Sequence, residues 1–488
     1  MKLSKYQQTI EEAYKNTNCN LVINACPGSG KTTTLVRLAK QTPIASKSIF
    51  LAFNKSIQEE LSKKLPFNIK AKTLHSLGMS TLLKYLGISF VVNEAKTFLL
   101  VRKQKDLISY PDNAKKDFKR QTQYLNELCK LVDLYRSNLL QKADDLMEIA
   151  LDYDIEVNKR DCFNVERVME FLDSYNRNLS SSSMIDFVDM LYLCHTLPNE
   201  AFEKYKVVFI DEVQDLTPLQ KSLVDKIIDP DGGRFIAVGD KKQLIYAFMG
   251  SNLNSFSAFE QVPNTQCLPL SVTYRCSKEV TKLANSIFEG VECFEGNIEG
   301  ECRKGNREEI QEGDFVVCRN NFPLFQLYMD LLAQGKKAVI YGKDYGESLI
   351  KLLADMQDLS ISEAMVKFSD KRQEMIQSLR EKGITSPDDH PKIVKYDEMV
   401  SIIAFLFEEF NSVKKTIEQI NTMFSNKVEG VTLLTIHKSK GLEAKRVFFL
   451  QPELLPSKYA KSQQMLYCEK CLYYVAVTRA KESLIFLD

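Results

Sequence analysis

Short apolar runs that end at glycine or acidic residues recur along the chain and predict buried β-strands. In the first half these runs cover residues 21–25, 48–53, 207–210 and 234–238. In the second half they cover residues 314–318, 337–341, 431–435, 446–450 and 483–487. Residues 33–39 have helical spacing, and an alternation of strands with helices favours parallel sheets covered on both faces.

Two long stretches break this alternation and predict helical insertions. The stretch from Gly78 to about residue 180 is rich in Leu, Lys and Asp at helical spacing and has almost no glycine. A second charged, helical stretch interrupts the later strands. We therefore expect two cores with boundaries at residues 1–78, 184–268, 269–345 and 428–488, and insertions at residues 79–183 and 346–427.

Composition narrows the class of protein. A chain of 488 residues is too long for one ordinary core, and 44% apolar with 26% charged residues is typical of soluble globular proteins. No apolar run reaches the roughly 18–20 residues that a membrane helix needs. The polar first residues do not resemble a signal peptide, so we expect a cytoplasmic protein without a membrane partner. The net charge of +1 leaves nucleic acid open, because only a local cleft has to be positive.

The first predicted strand runs into a glycine-containing loop that is typical of phosphate binding. Residues 25–32 read Ala-Cys-Pro-Gly-Ser-Gly-Lys-Thr. Gly28 and Gly30 let the backbone wrap phosphate oxygens, and Lys31 supplies charge at the β- and γ-phosphates of a nucleoside triphosphate. The Thr32 hydroxyl is the expected Mg²⁺ ligand.

Two adjacent carboxylates follow another predicted strand. Asp211 and Glu212 come directly after the apolar residues 207–210. A carboxylate at the C-terminal end of a parallel strand lies where the Mg²⁺ of a bound nucleotide sits in such folds. We therefore predict that Asp211 holds the Mg²⁺ water shell and that Glu212 polarises the attacking water.

These segments, in this order, resemble the motifs of superfamily 1 DNA helicases of the UvrD/Rep/PcrA group. The resemblance can be followed over nearly the whole chain, through residues 3–7, 50–55, 73–77, 185–191, 239–250, 270–277, 435–443 and 474–480. It implies an α/β fold of two RecA-like parallel-sheet cores, each interrupted by a mainly helical inserted domain. It also implies ATP and Mg²⁺ as cofactors.

The resemblance assigns residues to the nucleotide. Gln7 corresponds to the adenine reader, Gln243 to the γ-phosphate sensor, and Arg275 and Arg479 to two arginine fingers. Tyr274 corresponds to a residue that stacks on adenine, and Glu443 to a further nucleotide contact. The expected catalytic set is Lys31, Asp211, Glu212, Gln243, Arg275 and Arg479. The expected ATP-binding set is Gln7, Ala25, Cys26, Pro27, Gly28, Ser29, Gly30, Lys31, Thr32, Thr33, Tyr274, Arg275, Glu443 and Arg479.

The resemblance also assigns contacts to single-stranded DNA. These residues are Phe53, Asn54, Lys55, Thr73, His75, Tyr246, Phe248, Thr435 and His437. Aromatic side chains stack on bases of any sequence, at roughly 1–3 kcal/mol per base. A lone aromatic residue is more often part of a core, and His75 and His437 also fit a purely structural role. Both interpretations stay open for these residues.

The sequence thus predicts an ATP-dependent DNA helicase or translocase that moves 3′→5′, with single-stranded DNA and single-/double-strand junctions as its partners. The polarity rests on the resemblance alone. One alternative is a subunit that senses DNA and nucleotide beside a nuclease or other protein partner, with little unwinding of its own. Met249, which stands where the family usually has arginine, and the second insertion, which is shorter than the family's usual regulatory subdomain, motivate it. Lys470 and Cys471 also depart from the family pattern, because an Arg-Arg pair is usual there. A structural subunit with an inert nucleotide is disfavoured by the intact Asp211–Glu212 pair.

Overall fold

The chain forms two compact units, which comprise Met1–Val272 and Thr273–Asp488. The computed structural model describes residues 3–87, 89–104, 106–112, 118–152, 157–245, 254–380, 387–389, 391–458, 460 and 463–488. Within these ranges no helix combines the length and the apolar character needed to cross a bilayer.

The first unit alternates strands and helices around one long helical segment. Its strands are β1 (Asn20–Ala25), β2 (Ser48–Ala52), β3 (Ile69–Thr73), β4 (Val91–Val92), β5 (Met184–Ile185), β6 (Val207–Ile210), β7 (Arg234–Gly239) and β8 (Thr265–Leu270). Its helices are α1 (Lys5–Asn16), α2 (Lys31–Gln41), α3 (Lys55–Ser62), α4 (Leu74–Leu86), α5 (Lys96–Lys103), α6 (Phe118–Ser137), α7 (Ala143–Asp152), α8 (Val157–Cys162), α9 (Val165–Asn178), α10 (Phe187–Thr196), α11 (Pro218–Ile227) and α12 (Asn254–Glu260).

The central sheet of the first unit is parallel and has the order β3-β2-β6-β7-β1-β8. Successive side chains of a strand point to opposite faces. Leu21 and Ile23 of β1 accordingly join a core with α1 and α2, whereas Val22 joins a second core with α4, α10 and α11. Helices therefore cover both faces, as the apolar runs predicted.

The helical segment between β3 and β6 has a core of its own. Val101, Leu128, Leu146 and Leu172 of α5, α6, α7 and α9 belong to one buried cluster. The short parallel pair β4–β5 lies at its two ends in the sequence. This segment is the mainly helical insertion that the fold class requires in the first core.

A buried charge network joins this segment to α10. Asp189 of α10 accepts hydrogen bonds from Lys96 Nζ at 2.7 Å and from the Tyr175 hydroxyl at 2.7 Å. Arg136 Nη1 lies 2.8 Å from Asp189 Oδ1, the oxygen to which Tyr175 donates, and the side chains of Arg136 and Asp189 are fully buried. Four helices thus meet at one carboxylate, and a buried charge of this kind is tolerated only because it is paired and hydrogen-bonded.

The second unit repeats the alternation. Its strands are β9 (Val272–Thr273, which crosses the division between units), β10 (Glu292–Cys293), β11 (Glu301–Lys304), β12 (Phe315–Cys318), β13 (Ala338–Tyr341), β14 (Phe424–Ser425), β15 (Val431–Thr435), β16 (Ala444–Leu450) and β17 (Ala480–Leu487). Its helices are α13 (Lys278–Ile287), α14 (Phe322–Ala333), α15 (Lys343–Leu353), α16 (Ile361–Arg380), α17 (Pro391–Phe410), α18 (Val413–Met423) and α19 (Gln463–Val477).

The larger sheet of the second unit is also parallel, with the order β11-β17-β16-β12-β15-β13-β14. Its core continues into the helical stretch between β13 and β14. Phe368 of α16 and Leu406 of α17 belong to the same buried cluster as Val316 of β12. The predicted fold class, two parallel-sheet cores each interrupted by helices, is confirmed.

Some elements run past the boundaries expected from the sequence. Helix α4 spans the expected junction between residues 78 and 79, and β8 spans the one between residues 268 and 269. The division into compact units follows Val272. The exact limits of the cores and insertions therefore remain a proposal.

Candidate nucleotide and DNA site

The loop between β1 and α2 has the geometry of a phosphate cradle. Gly28 and Gly30 have φ values of 71° and 79°, a left-handed conformation that glycine adopts without strain. Gly30 precedes α2, and no side chain caps the helix there, so its first N–H groups are left for an anion. The buried Ser29 hydroxyl donates to Cys26 O at 2.7 Å and tightens the turn. The predicted ATP-binding residues 25–33 thus share one loop and the first turn of a helix.

Two residues of α2 meet the carboxylates that follow β6. Thr32 Oγ1 donates to Asp211 Oδ2 at 2.6 Å, and Lys31 Nζ lies 3.2 Å from Glu212 Oε1. A hydroxyl and a carboxylate are hard oxygen donors of the kind that Mg²⁺ prefers. The donor set of Thr32 and Asp211 therefore fits the expected metal.

Charge and burial act against each other in this group. Burial alone would lower the pKa of Lys31, but the carboxylates of Glu212, Asp240 and Asp211 outweigh it, and the pKa lies above its ordinary value. Burial, together with the neighbouring Glu212 charge, holds the pKa of Asp211 above its usual range. The site thus keeps a cation beside clustered carboxylates, as a polyphosphate–metal site requires.

Glu212 has an unusual backbone for a side-chain-bearing residue. Its φ is 52°, in the left-handed region, where strain persists only if neighbours fix it. One such neighbour is the buried Gln214, whose Nε2 donates to Glu212 Oε2 at 2.6 Å. Sequence reasoning gave Gln214 no role. An amide three positions after Asp211 was the available signal, but it becomes meaningful only once the turn is seen.

The predicted γ-phosphate sensor lies after the neighbouring strand β7. Gln243 is buried, and its Nε2 donates to Asp240 Oδ2 at 2.8 Å. Strands β6 and β7 are adjacent and parallel, so Gln243 lies at the same sheet edge as Asp211 and Glu212. Gln7 belongs to this region too, because its Nε2 donates to Thr34 Oγ1 of α2 at 3.3 Å.

In the second unit, the predicted nucleotide residues form one cluster. The Arg275 guanidinium pairs with the Glu443 carboxylate, which also binds Lys481 Nζ at 2.7 Å. Arg275 Nη1 donates to Thr478 O at 3.4 Å. Tyr274 packs against Phe294 with ring centroids 5.0 Å apart. Arg275, Glu443 and the segment after α19 are therefore brought together.

Arg479 has a different environment from Arg275. It is only 2% exposed. Its guanidinium donates to Val475 O at 3.0 Å and to Leu442 O at 3.1 Å, and a weaker contact reaches Ser439 O at 3.5 Å. These bonds fix the 439–442 loop to the end of α19, which gives Arg479 a structural role within the unit.

The predicted DNA contacts of the first unit lie at the C-terminal ends of β2 and β3. Asn54 accepts from Ile57 N at 2.9 Å and so caps α3, while Thr73 caps α4 in the same way. Lys55 is the first residue of α3. Phe53 and His75 line a small cavity of about 20 Å³ together with Asp211, which connects this region with the nucleotide site.

An aromatic residue missed by the sequence analysis lies beside His75. Phe187 begins α10, is 46% exposed, and packs edge-on against the His75 ring at 5.5 Å. Burial lowers the pKa of His75, so it stays neutral near pH 7. The signal in the sequence was an aromatic residue directly after the helix cap Asp186. Tyr246, Phe248 and Met249 lie outside the described residues.

The remaining predicted DNA contacts lie at the end of β15 and directly after it in the second unit. Thr435 ends this strand, and His437 follows at once. Burial, with the neighbouring Arg319 charge, lowers the pKa of His437 to about 4. Arg319, which follows β12, binds Glu469 of α19 at 2.8 and 3.1 Å. The sequence analysis did not single out Arg319.

The two positions of α19 where the family pattern has arginine are both packed. Lys470 Nζ lies 4.5 Å from the centroid of the Phe288 ring. Cys471 is fully buried. The departure from the pattern is thus accommodated inside the second unit.

A strand that enters a glycine cradle, with a hydroxyl–carboxylate pair beside it at the edge of a parallel sheet, defines a P-loop nucleotide-binding protein. The family model described as "UvrD/REP helicase N-terminal domain" matches residues 6–264, and "UvrD-like helicase C-terminal domain" matches residues 430–487. The chain belongs to the UvrD/Rep helicase family, and the resemblance drawn from its motifs is confirmed.

Relatives of several kinds match the chain. The F-box DNA helicase protein 1 of Schizosaccharomyces pombe is 25% identical over 100% of this chain and 57% of its own length. The probable DNA helicase II homolog of Mycoplasma genitalium is 21% identical over 95% of this chain and 82% of its own. The ATP-dependent DNA helicase Rep of Buchnera aphidicola is 30% identical over 27% of this chain and 21% of its own. The chain spans about half the length of the F-box relatives it matches.

Proposed function

We propose that the chain is an ATP- and Mg²⁺-dependent DNA helicase or translocase that moves 3′→5′ on single-stranded DNA and unwinds duplex. The observation that carries this proposal is that Lys31 and Thr32 contact Glu212 and Asp211 beside the C-terminal ends of the parallel strands β1 and β6. Membership of the UvrD/Rep family supports it. The polarity comes from the motif resemblance.

Each residue of the first unit has a distinct task in this proposal. The Gly28–Gly30 turn and the start of α2 bind the phosphates, and Lys31 neutralises their charge. Thr32 and Asp211 would hold Mg²⁺, which supplies charge neutralisation on the transferred phosphoryl group. Glu212 accepts a hydrogen bond from the attacking water and orients it toward the γ-phosphorus.

The second unit contributes the remaining members of the proposed catalytic set. Arg275 and Arg479 act as arginine fingers, and Glu443 is a nucleotide contact. An arginine finger stabilises the charge that spreads over the phosphoryl oxygens in the transition state. Because Arg275 is tied to Glu443 while Arg479 is buried among carbonyls, we infer that Arg275 is the more mobile of the two.

The proposed DNA track runs over the C-terminal ends of β2 and β3. Phe53 and Phe187 offer aromatic faces beside His75. Stacking on such faces tolerates every base, so we propose that single strands of any sequence are bound. His75 is neutral there and therefore contributes a hydrogen bond rather than charge to the strand.

ATP hydrolysis and unwinding test this function together. We expect single-stranded DNA to stimulate the ATPase of the purified chain, and Lys31→Ala and Glu212→Gln to abolish it. A duplex with a 3′ tail should be unwound, and one with a 5′ tail should not. Stimulated ATPase without unwinding would instead favour the DNA-sensing subunit, whereas the absence of any DNA-stimulated ATPase would refute the motor.

A further inference from the structure

We propose that Gln214 is a positioning residue that couples the segment after β7 to the Glu212 carboxylate. The proposal rests on the proposed ATPase function, in which Glu212 orients the attacking water. It adds a residue that acts through Glu212 and does not touch the nucleotide.

The Gln214 side chain makes a hydrogen bond at each end of its amide and so bridges two segments; we call this bridge the tie. Its Nε2 donates to Glu212 Oε2 at 2.6 Å, and its Oε1 accepts from the backbone N–H of Asp240 at 3.0 Å. The side chain is 2% exposed, so water does not compete strongly for either bond. A side-chain amide suits this place because its NH₂ group donates while its carbonyl oxygen accepts, without adding charge.

The Asp240 end of the tie leads to the predicted γ-phosphate sensor. Asp240 Oδ1 accepts from Lys242 N at 3.0 Å, and Oδ2 accepts from Gln243 Nε2 at 2.8 Å. The chain of hydrogen bonds therefore runs from Glu212 through Gln214 and Asp240 to Gln243. A displacement of the 240–243 turn would be transmitted to the Glu212 carboxylate.

The end of β7 packs closely against the Gln214 side chain, and this close packing occurs at Gly239. A Cβ atom placed on Gly239 would lie 2.3 Å from Gln214 Oε1 and 2.8 Å from Val213 Cγ1. Only glycine therefore lets β7 come near enough for Asp240 N to reach the amide.

The tie also explains how Glu212 keeps its conformation. The backbone of Glu212 is left-handed, with φ of 52°, and its carboxylate is pulled toward Lys31 at 3.2 Å. The ion pair with Lys31 restrains the carboxylate as well, and it would persist without Gln214. We therefore expect the loss of Gln214 to let Glu212 turn toward Lys31 and away from water.

Steady-state ATPase of full-length variants tests this inference. Gln214→Met keeps the shape without hydrogen bonds, and Gln214→Glu keeps the acceptor for Asp240 N but sets a carboxylate against Glu212. We expect kcat with saturating single-stranded DNA to fall at least ten-fold in both, with the KM for ATP within two-fold. The ratio of DNA-stimulated to basal rate should fall as well. Gln261→Met, an exposed glutamine that follows α12 in the same unit, serves as the matched control.

A merely structural role predicts a different result. It would lower the melting temperature and raise KM together with any loss of kcat, so thermal unfolding and binding of a non-hydrolysable ATP analogue are measured on each variant. If Gln214→Met does not fold, the Gln214→Glu variant decides. Wild-type-like kcat and stimulation ratio in the folded variants, while Lys31→Ala and Glu212→Gln are inactive, would overturn the inference and leave the proposed function intact.

Discussion

The Thr32 hydroxyl donates a 2.6 Å hydrogen bond to the Asp211 carboxylate, although 179 positions separate the two residues in the sequence. The bond joins the first turn of α2 to the end of β6. It brings together the two oxygen-bearing side chains that are expected to bind the metal of a nucleotide.

Thr32→Val should therefore lower the apparent affinity of the ATPase for Mg²⁺. The substitution keeps the branched shape but removes the hydroxyl. We expect the Mg²⁺ concentration for half-maximal ATPase to rise by at least about ten-fold, in line with the loss of one metal-site partner. Thr32→Ser, which restores the hydroxyl, should behave like the wild type. Equal Mg²⁺ titrations for the valine and serine variants would contradict the assignment.

Arg275 and Arg479 should respond differently to truncation. Arg275→Ala removes one ion pair at a partly exposed position, so the free energy of unfolding should change by less than about 1 kcal/mol. Arg479→Ala removes the guanidinium donor from two buried carbonyl groups and should cost about 2–4 kcal/mol. If both residues act as arginine fingers, each of the two variants should have a kcat about 10³-fold or more below that of the wild type. Urea unfolding and ATPase on the same samples separate the two effects.

Phe187 should contribute to strand binding without sequence preference. Phe187→Ala is expected to weaken binding of single-stranded DNA by about 1–3 kcal/mol, for thymine-only and mixed oligonucleotides alike. Fluorescence anisotropy measures this change. Phe67→Ala is the control, because Phe67 is 87% exposed in the same unit but follows α3, away from His75. A comparable loss of affinity for single-stranded DNA in both variants would show that Phe187 is not part of the proposed DNA-binding surface.

Loss of the Asp189 charge should strongly lower the free energy of unfolding of the first unit. Asp189→Asn keeps the size of the side chain but leaves Lys96 and Arg136 buried without their anion. Breaking a buried ion pair at one partner costs about 3–5 kcal/mol. Urea denaturation should show this loss, whereas Asp173→Asn, an exposed change on α9, should stay within about 0.5 kcal/mol of the wild type.

The same network predicts a pH dependence of stability. Burial, with the nearby Asp186 charge, raises the pKa of Asp133 from its ordinary value of 3.8 to about 7. The folded protein holds this proton more tightly than the unfolded chain, so its contribution to the free energy of unfolding falls as pH rises through this range.

Asp133→Asn removes that proton and its pH dependence. We expect the variant to be more stable than the wild type above pH 7, by about 1–3 kcal/mol after allowance for screening, and to differ less near pH 4. Urea midpoints measured from pH 4 to pH 8 provide the comparison. A gap between variant and wild type that stays constant with pH would show that Asp133 is ionised throughout.

The strands that the apolar pattern predicted are those in the interior of the two sheets. β6 and β12 are buried throughout, and β1, β7, β15 and β16 each contain a run of at least three buried residues. A strand flanked on both sides and covered on both faces needs apolar side chains at nearly every position. This is why residues 21–25 or 431–435 can be recognised without a structure.

In the two large sheets the pattern missed four of the described strands, and all four are edge strands. It also missed β4, β5, β9 and β10, which form two-stranded sheets. β3 and β8 end the first sheet, and β11 and β14 end the second. An edge strand is partly exposed, so β3 alternates Ile69 and Ala71 with lysines, and β8 contains Pro269, which an edge tolerates. Their sequences therefore look like loops.

The candidate site divides in a similar way. The phosphate loop and the Asp211–Glu212 pair could be predicted because each is a short segment with its own chemistry. Gln214 and Phe187 could not, because their roles depend on Asp240 and His75, which come from distant parts of the chain. Side chains that act by contact across elements carry no local signature.

The position of β1 in the first sheet has a consequence for synthesis of the protein on the ribosome. Among the described strands, β1, which leads into the phosphate loop, pairs with β7 and β8, and both are encoded far downstream. At about 5–20 residues per second, roughly 10–40 s pass between the emergence of β1 and that of its first partner. During this interval the apolar strand β1 remains unpaired, whereas the helical segment, which has a separate core, can already fold. The nascent chain is therefore most exposed to aggregation and chaperone capture at the strand on which its chemistry depends.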